Sequence, residues 1–198
     1  MADINHVMVD LETLGTVPGC VGFSIGAVEF HPDRGTLGQE FYSLVCVEDS
    51  KDQLLRVEQG TVDWWETQRR KSPEAAAALD EAYSGTAPKL AEAMSDLNRF
   101  LLGLGGMRSI RLYGNGADFD NPILRVMWDA AGVPMLGSTA GFFGGRCYRT
   151  LKSLDELFGT DYKAPKLERQ GTYHNALDDA KSQAMHLMAI VAAVKGLR

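Results

Sequence analysis

An acid-bearing stretch near the start of the chain constrains its fold more than any other. Residues 7–15 read Val-Met-Val-Asp-Leu-Glu-Thr-Leu-Gly, a buried strand that then presents Asp10 and Glu12. Side chains alternate along a strand, so these two carboxylates share one face. Either one acid is exposed while the other caps a turn, or the pair belongs to a divalent-metal site. The metal site requires more carboxylates from elsewhere in the chain.

The strand pattern beyond this stretch predicts how the sheet begins. Strands are predicted at residues 23–30 and 41–47, and short turns join them, so the first three strands form an antiparallel meander. Two further short strands are predicted at residues 109–114 and 146–150. The length of 198 residues favours one α/β domain.

Five helices follow from apolar spacing and from start and stop signals. The last has apolar residues at three- and four-residue steps along its whole length. In the helix after the fourth strand, Asn121 is the predicted N-cap, Pro122 the first helical residue and Gly132 the residue just past the end. Thr61 is a candidate cap for the first helix. The predicted helices cover residues 61–68, 73–82, 88–104, 122–131 and 175–195.

Composition agrees with a single globular domain over residues 1–198. No repeat or low-complexity linker divides the chain, and the three cysteines lack Cys-x-x-Cys spacing, which argues against a zinc site or a disulfide framework. We expect no signal peptide and no membrane association, because no apolar run is long enough to span a bilayer. A net charge of −6 leaves nucleic acid open as a partner, since bound cations and local basic clusters offset it.

A second acidic element precedes the predicted helix start at Asn121. Asp120 lies where helix amide groups favour an ionised carboxylate, and plain capping accounts for such an aspartate equally well. Capping does not account for the glycine-rich loop around Asn115, which lets the backbone approach a ligand closely. Asp118 is the alternative acid in this loop, and it is less constrained.

A third element combines a histidine with an acid at the last helix. His174 leads into the helix, and Asp179 lies about one turn inside it. A histidine near a helix start is usually a polar surface residue. A fixed carboxylate beside a more movable histidine also suits a metal ligand paired with a general base.

Together, the three elements resemble the exonuclease motifs of the DEDDh, or DnaQ-like, superfamily. They occur in the expected order and span nearly the whole chain. Residues 61–68 and 146–150 further resemble a bacterial and phage branch that includes exodeoxyribonuclease VIII-like proteins and a mycobacterial group assigned to RNA. The superfamily motifs match Asp10-x-Glu12, the loop from Asn115 to Phe119-Asp120, and His174-x-Ala176-Leu177-x-Asp179-Ala180.

The resemblance implies an RNase H-like fold, a mixed β-sheet flanked by α-helices, and a metal-dependent 3′–5′ exonuclease that releases nucleoside 5′-monophosphates. Asp10, Glu12, Asp120 and Asp179 would hold two Mg²⁺ or Mn²⁺ ions. Oxygen ligands are those that Mg²⁺ prefers. In this scheme His174 would be the general base that takes a proton from the attacking water.

The resemblance also suggests substrate-binding residues. Thr13, Leu14 and Gly15 would cradle the terminal nucleotide, with core packing an equal alternative for Leu14. Asn115 would orient the second motif or touch the substrate strand. Adjacent residues on a helix point about 100° apart, so one tryptophan of the pair at residues 64–65 is expected in the core and the other, Trp65, at the substrate. Two basic clusters, at residues 69–71 and 163–169, are candidate phosphate contacts or simply solvated surface.

The expected partner is the 3′ end of a nucleic acid, with DNA favoured over RNA. The active-site motifs do not separate the two, so a 3′–5′ exoribonuclease is the alternative. A catalytically inactive nucleic-acid-binding protein and a metal-dependent phosphatase are more distant alternatives. We expect a cytoplasmic protein of a bacterial cell, with a phage-encoded one as a variant, and a homodimer is compatible with the resemblance.

Overall fold

Five strands form one mixed sheet in a computed structural model that describes residues 4–71, 73–105, 110–135, 144–154, 156 and 165–196. The strand order is β3–β2–β1–β4–β5. Strand β1 runs antiparallel to β2, and β2 runs antiparallel to β3. On the other side of β1, β4 and β5 add in parallel. The strands are β1 Asn5–Thr13, β2 Gly22–His31, β3 Thr36–Leu44, β4 Ile110–Gly114 and β5 Gly145–Cys147.

Helices cover both faces of this sheet. Together with the strand directions, this confirms the expected mixed sheet, flanked by helices and beginning with an antiparallel meander. No helix in the described ranges combines the length and apolarity needed to cross a bilayer. The helices are α1 Val47–Asp52, α2 Gln59–Lys71, α3 Pro73–Tyr83, α4 Leu90–Gly103, α5 Asp120–Ala130, α6 Tyr148–Lys152 and α7 Ala176–Lys195.

Alternation along β1 decides which face receives the acids. Val7, Val9 and Leu11 pack into the larger core, which includes apolar residues of α4 and α5. Met8 faces the other way and packs with α7 residues such as Ala180 and Ala184. Since side chains repeat every two residues, Asp10 and Glu12 share the α7 face with Met8.

A glycine on β2 lets the start of α7 lie against this face. Gly26 pairs with Asp10 across the strands. A Cβ atom at Gly26 would lie 2.2 Å from the carbonyl carbon of Ala176 and from the amide nitrogen of Leu177. Any other residue would therefore push the first turn of α7 off the sheet, and with it the segment that carries His174 and Asp179.

Several predicted boundaries are wrong for physical reasons. The third strand begins at Thr36 rather than residue 41, because its first half is largely exposed and carries no apolar run. It ends at Leu44, and Val47 begins α1. The strand predicted at 146–150 ends at Cys147, whose Sγ accepts a hydrogen bond from the Thr150 N–H and begins α6.

Two helix starts also differ from the prediction. Helix α2 begins at Gln59, so Thr61 is inside it rather than at its cap. Helix α5 begins at Asp120, one residue before the predicted N-cap Asn121. The N-terminal boundary of α7 is confirmed, because the Asn175 side chain accepts hydrogen bonds from the N–H groups of Leu177 and Asp178. Residue 109 of the predicted fourth strand and Lys163 of the second basic cluster lie outside the described residues.

Candidate active site

The first pair of acids lies buried between β1 and α7. Asp10 and Glu12 are both less than a tenth exposed. The Gln183 Nε2 group donates a hydrogen bond of 2.6 Å to Asp10 Oδ1. Gln183 lies one turn beyond Asp179 on the same face of α7, and sequence reasoning missed it. A polar residue within the apolar stripe of the helix was the available signal.

Asp120 joins this pair from the start of α5 and is only 1% exposed. Its Oδ1 accepts a hydrogen bond from the Leu11 N–H at 3.2 Å, and its Oδ2 accepts one from the Asn115 N–H at 2.6 Å. These two bonds connect the second motif directly to β1. Asp118, the alternative acid of this loop, is exposed.

The third motif brings His174 and Asp179 to the same place. One ligand atom from each of Glu12, His174 and Asp179 lies within 4.8 Å of the other two. His174 has a left-handed backbone, with φ of 61°, and its Nδ1 lies 4.0 Å from Glu12 Oε1. Its ring makes an edge contact with Trp64, with ring centroids 5.0 Å apart.

Burial and mutual repulsion make this cluster unfavourable as a set of free anions. Burial, followed by repulsion from the neighbouring carboxylates, raises the pKa values of Asp10 and Glu12 well above their usual range. Burial also raises the pKa of Asp120 to about 6 and raises that of Asp179. For His174, burial and then the Arg169 charge lower the pKa to about 4, so the imidazole is neutral at pH 7.

Asp10, Glu12 and Asp179 line a cavity of about 650 Å³, a volume typical of small-ligand sites. Among the described residues that line it, Arg169 is the one Lys or Arg side chain. Two of its lining residues carry buried acceptors, Asn115 Oδ1 and Gln183 Oε1, that have no hydrogen-bond partner in the described part of the chain. The remaining wall is formed by Leu11, Thr13, Gly15, Thr16, Glu58, Gly60, Thr61, Trp64, Trp65 and Phe119.

The structure corrects the expectation for Trp65. This residue is 1% exposed, its ring packs edge-on against Phe23, and its indole N–H donates to the Thr13 carbonyl at 2.9 Å. Both tryptophans line the cavity, but Trp64 is the exposed one of the pair, at 41%. Trp65 therefore supports the backbone that follows the first motif, and Trp64 is the tryptophan of the pair whose ring is accessible to a ligand.

For Leu14, the structure favours the alternative of core packing, because the side chain is fully buried in the core. Thr13 and Gly15 do line the cavity, and the Thr13 hydroxyl donates to the Gly15 carbonyl at 2.7 Å. A Cβ atom at Gly15 would lie 2.5 Å from the Cys20 Cβ, so this turn requires glycine. Glu58, which sequence reasoning missed, accepts hydrogen bonds from the Thr16 N–H and hydroxyl.

Two smaller cavities continue from the first one. The nearer, of about 440 Å³, shares Thr16 and Phe119 with it and includes Arg149. The farther, of about 510 Å³, shares Ala117 and Cys147 with the nearer. Its lining includes two further arginines, Arg125 and Arg146. The three cavities therefore adjoin one another through shared lining residues, and the two smaller ones contain three arginine side chains.

Solved structures share this fold. E. coli exonuclease I in complex with a dT13 oligonucleotide aligns with 98% of this chain and 42% of its own length, at a TM-score of 0.69 and 11% identity. Cell-death related nuclease 4 (CRN-4) aligns with 96% of this chain and 64% of its own length, at a TM-score of 0.62 and 14% identity. The nuclease domain of 3′hExo, a DEDDh family member bound to rAMP, aligns with 99% of this chain and 93% of its own length, at a TM-score of 0.56 and 13% identity. This chain thus spans less than two thirds of the first two proteins.

A family model extends the comparison to sequence. No curated protein matches the chain at a significant level. The model of the 3′-5′ exoribonuclease Rv2179c-like domain matches residues 5–191, nearly the whole chain. Together with the structural neighbours, it supports the DEDDh superfamily, whereas the exodeoxyribonuclease VIII-like branch stays a prediction. The chain belongs to the Rv2179c-like family of 3′–5′ exonuclease domains.

Proposed function

We propose that this chain removes nucleoside 5′-monophosphates from the 3′ end of RNA, using two divalent metal ions and His174 as the general base. The observation that carries the proposal is the burial of four carboxylates: Asp10, Glu12 and Asp179 line one cavity, and Asp120 is bonded to Leu11 and Asn115 of its wall. Such a cluster is costly unless cations neutralise it.

The residues present fit a pair of Mg²⁺ or Mn²⁺ ions. Their donor atoms are carboxylate oxygens, which these cations prefer, and no thiolate lies among them. The unpartnered acceptors of Asn115 and Gln183 suit the hydrogens of water molecules, which such ions retain. When bound, the ions would lower the pKa of the attacking water and stabilise charge on the leaving 3′ oxygen.

The chain's own groups position these acids. Hydrogen bonds from Leu11 and Asn115 fix both oxygens of Asp120. The Gln183 amide fixes one oxygen of Asp10. These contacts leave the second Asp10 oxygen and the Glu12 carboxylate to face the cavity.

His174 has the properties of a base held beside the acids. Its pKa of about 4 keeps the ring neutral near pH 7, and only the neutral ring can accept a proton. The ring makes edge contacts with Tyr173, Trp64 and Trp65, and these contacts position it. The proton would pass from the attacking water to a His174 ring nitrogen.

RNA is proposed as the substrate because the matching family is described as a 3′-5′ exoribonuclease domain. DNA, which the sequence analysis favoured, is the second candidate, since exonuclease I bound to dT13 shares the fold. A protein distinguishes the two polymers through the 2′-hydroxyl. A hydrogen bond to that hydroxyl is worth roughly tenfold in rate or affinity.

The test compares 5′-labelled RNA and DNA strands of one sequence, each incubated with the enzyme and Mg²⁺. We expect a ladder of shortened products from both and a faster initial rate on RNA. Equal or faster shortening of DNA would overturn the choice of RNA and restore DNA as the substrate. Shortening from the 5′ end, or none at all, would contradict the proposed reaction itself.

Replacing Trp64 by Ala should weaken binding of the terminal nucleotide without unfolding the protein. Loss of a base–aromatic stack costs about 1–3 kcal/mol. Trp65→Ala is the matched comparison, because removing a buried tryptophan costs roughly 3–5 kcal/mol of stability. We expect KM to rise in the first variant and Tm to fall in the second. A large loss of Tm in the first, with KM unchanged, would assign Trp64 to packing.

Replacing Arg149 by Gln should affect long substrates more than short ones. Arg149 lines the cavity next to the catalytic one, where the phosphates behind the terminal nucleotide would lie. We expect KM for a ten-nucleotide strand to rise, while hydrolysis of the p-nitrophenyl ester of a nucleoside 5′-monophosphate stays unchanged. Arg99→Gln, far along α4 and paired with Asp96, is the control. Equal effects on both substrates would contradict this assignment.

Metal ions should stabilise the protein more at pH 7.5 than at pH 5. The acids have folded pKa values above the unfolded value of about 4, and that of Asp120 is about 6. Their contribution to stability is therefore fully present below pH 4 and is lost as pH rises through the folded values. In EDTA, we expect a lower Tm at pH 7.5 than at pH 5, and Mn²⁺ should reverse the loss.

Thermal unfolding with EDTA or Mn²⁺ at both pH values measures this effect. Asp118→Asn, which removes an exposed acid of the same loop, should behave like the wild type. A Tm gain from Mn²⁺ that is larger at pH 5, or absent at both pH values, would count against the metal site.

A further inference from the structure

We infer that Arg169 is a movable counter-ion, which competes with metal ions for Asp179 and transfers to the substrate phosphate once metal ions take Asp179. The inference rests on the proposed metal site and adds a residue that changes its partner when metal ions bind there. It assigns to Arg169 a positioning role toward the phosphate that is being cleaved.

Arg169 occupies an oxygen that the metal site needs. Its Nη1 lies 2.5 Å from Asp179 Oδ1. Asp179 has two carboxylate oxygens, and it belongs to the cluster with Glu12 and His174 whose ligand atoms lie within 4.8 Å of one another. A guanidinium bonded to one of these oxygens therefore competes with a cation for the same carboxylate.

The side chain can move although its backbone is fixed. Next to it, the Gln170 N–H donates to Ser182 Oγ at 2.9 Å, and the Thr172 N–H donates to Asp178 Oδ2 at 2.8 Å. These bonds hold the segment against α7. The Arg169 side chain itself is 44% exposed, so its long stem can change rotamer without disturbing the fold.

A second contact keeps the guanidinium at the cavity after it leaves Asp179. Its Cζ lies 4.0 Å from the centre of the Tyr173 ring. A cation over an aromatic face is attracted to the ring independently of any carboxylate. The guanidinium would thus stay in contact with the Tyr173 ring rather than extend into solvent.

Charge indicates where the guanidinium goes. Two divalent ions would bind the carboxylates more strongly than one monovalent group does, because each carries twice its charge. The anion that then enters the cavity is the phosphate of the terminal nucleotide. Guanidinium and phosphate match in shape, and they form two parallel hydrogen bonds.

A purely structural role for Arg169 makes the opposite prediction for metal binding. If Arg169 only clamps its segment to the start of α7, removing it loosens Asp179 and weakens metal binding. If it is a competing counter-ion, removing it frees an oxygen and makes the cavity more negative. Metal binding then becomes tighter.

The test is calorimetric titration of Mn²⁺ into metal-free wild type, Arg169→Gln and the control Arg99→Gln, followed by titration of AMP into each Mn²⁺-loaded protein. We expect Arg169→Gln to bind Mn²⁺ roughly tenfold tighter and AMP roughly tenfold weaker, the usual worth of a hydrogen bond to a charged group. Arg169→Lys keeps the positive charge but cannot form the two parallel hydrogen bonds of a guanidinium. It should retain wild-type Mn²⁺ affinity and still bind AMP more weakly.

Three results would overturn the inference. Weaker or unchanged Mn²⁺ binding by Arg169→Gln would make Arg169 a clamp, and unchanged AMP binding by both Arg169 variants would remove its contact with phosphate. If Arg169→Gln fails to fold, the AMP affinity of Arg169→Lys decides. Absence of Mn²⁺ binding by the wild type is a separate result, because it would refute the metal site on which both proposals depend.

Discussion

We expect that replacing Asp120 by Asn abolishes turnover, whereas replacing Asp118 by Asn leaves most of it. Asp120 is buried, and its two oxygens accept separate hydrogen bonds from the Leu11 and Asn115 N–H groups. An asparagine has one oxygen and no charge, so it loses one of these bonds and a proposed metal ligand together. Asp118 is exposed and takes no part in this arrangement.

The measurement is the initial rate of 3′ shortening for both variants at saturating Mg²⁺, with Tm recorded to exclude unfolding. An active Asp120→Asn enzyme, or an inactive Asp118→Asn enzyme, would assign the second motif to the wrong acid. Equal and partial losses would contradict a unique role for Asp120.

We expect that replacing His174 by Ala lowers the rate by roughly 10²–10⁴-fold, the usual contribution of a general base, and leaves metal binding intact. The His174 Nδ1 lies 4.0 Å from the Glu12 oxygen, and the four carboxylates remain to bind cations without it. The proposed role is therefore to accept a proton rather than to hold an ion.

Single-turnover hydrolysis and Mn²⁺ titration of the same His174→Ala protein separate these roles. An unchanged rate would remove His174 from proton transfer. A lost rate together with lost Mn²⁺ binding would make it a ligand instead.

Local rules were sufficient to predict the elements that carry the acids. Strand alternation placed Asp10 and Glu12 on one face, and β1 confirms it, because Met8 on that face packs against α7. The apolar spacing of the last helix predicted α7 to within a residue. These features depend on neighbours in sequence, so one chain suffices to find them.

Contacts between distant segments were not predictable in this way. In the sequence, Gly26 is an ordinary strand glycine. Its importance appears only in the structure, where a Cβ atom at this position would lie 2.2 Å from the backbone of α7. Helical geometry separates Trp64 from Trp65 but does not say which one points inward. That depends on Phe23 and the Thr13 carbonyl, both far away along the chain. The homodimer, the single domain over residues 1–198 and the bacterial or phage origin remain predictions.

The most direct test of the central claim follows the fate of a 3′-terminal label on single-stranded RNA in Mg²⁺ and in EDTA. The proposed mechanism predicts that the label is released as a nucleoside 5′-monophosphate in Mg²⁺, before any internal fragment appears, and that release stops in EDTA and resumes when Mg²⁺ is restored. Release that continues in EDTA, or a product carrying a 3′-phosphate, would contradict metal-dependent hydrolysis at this cluster of carboxylates.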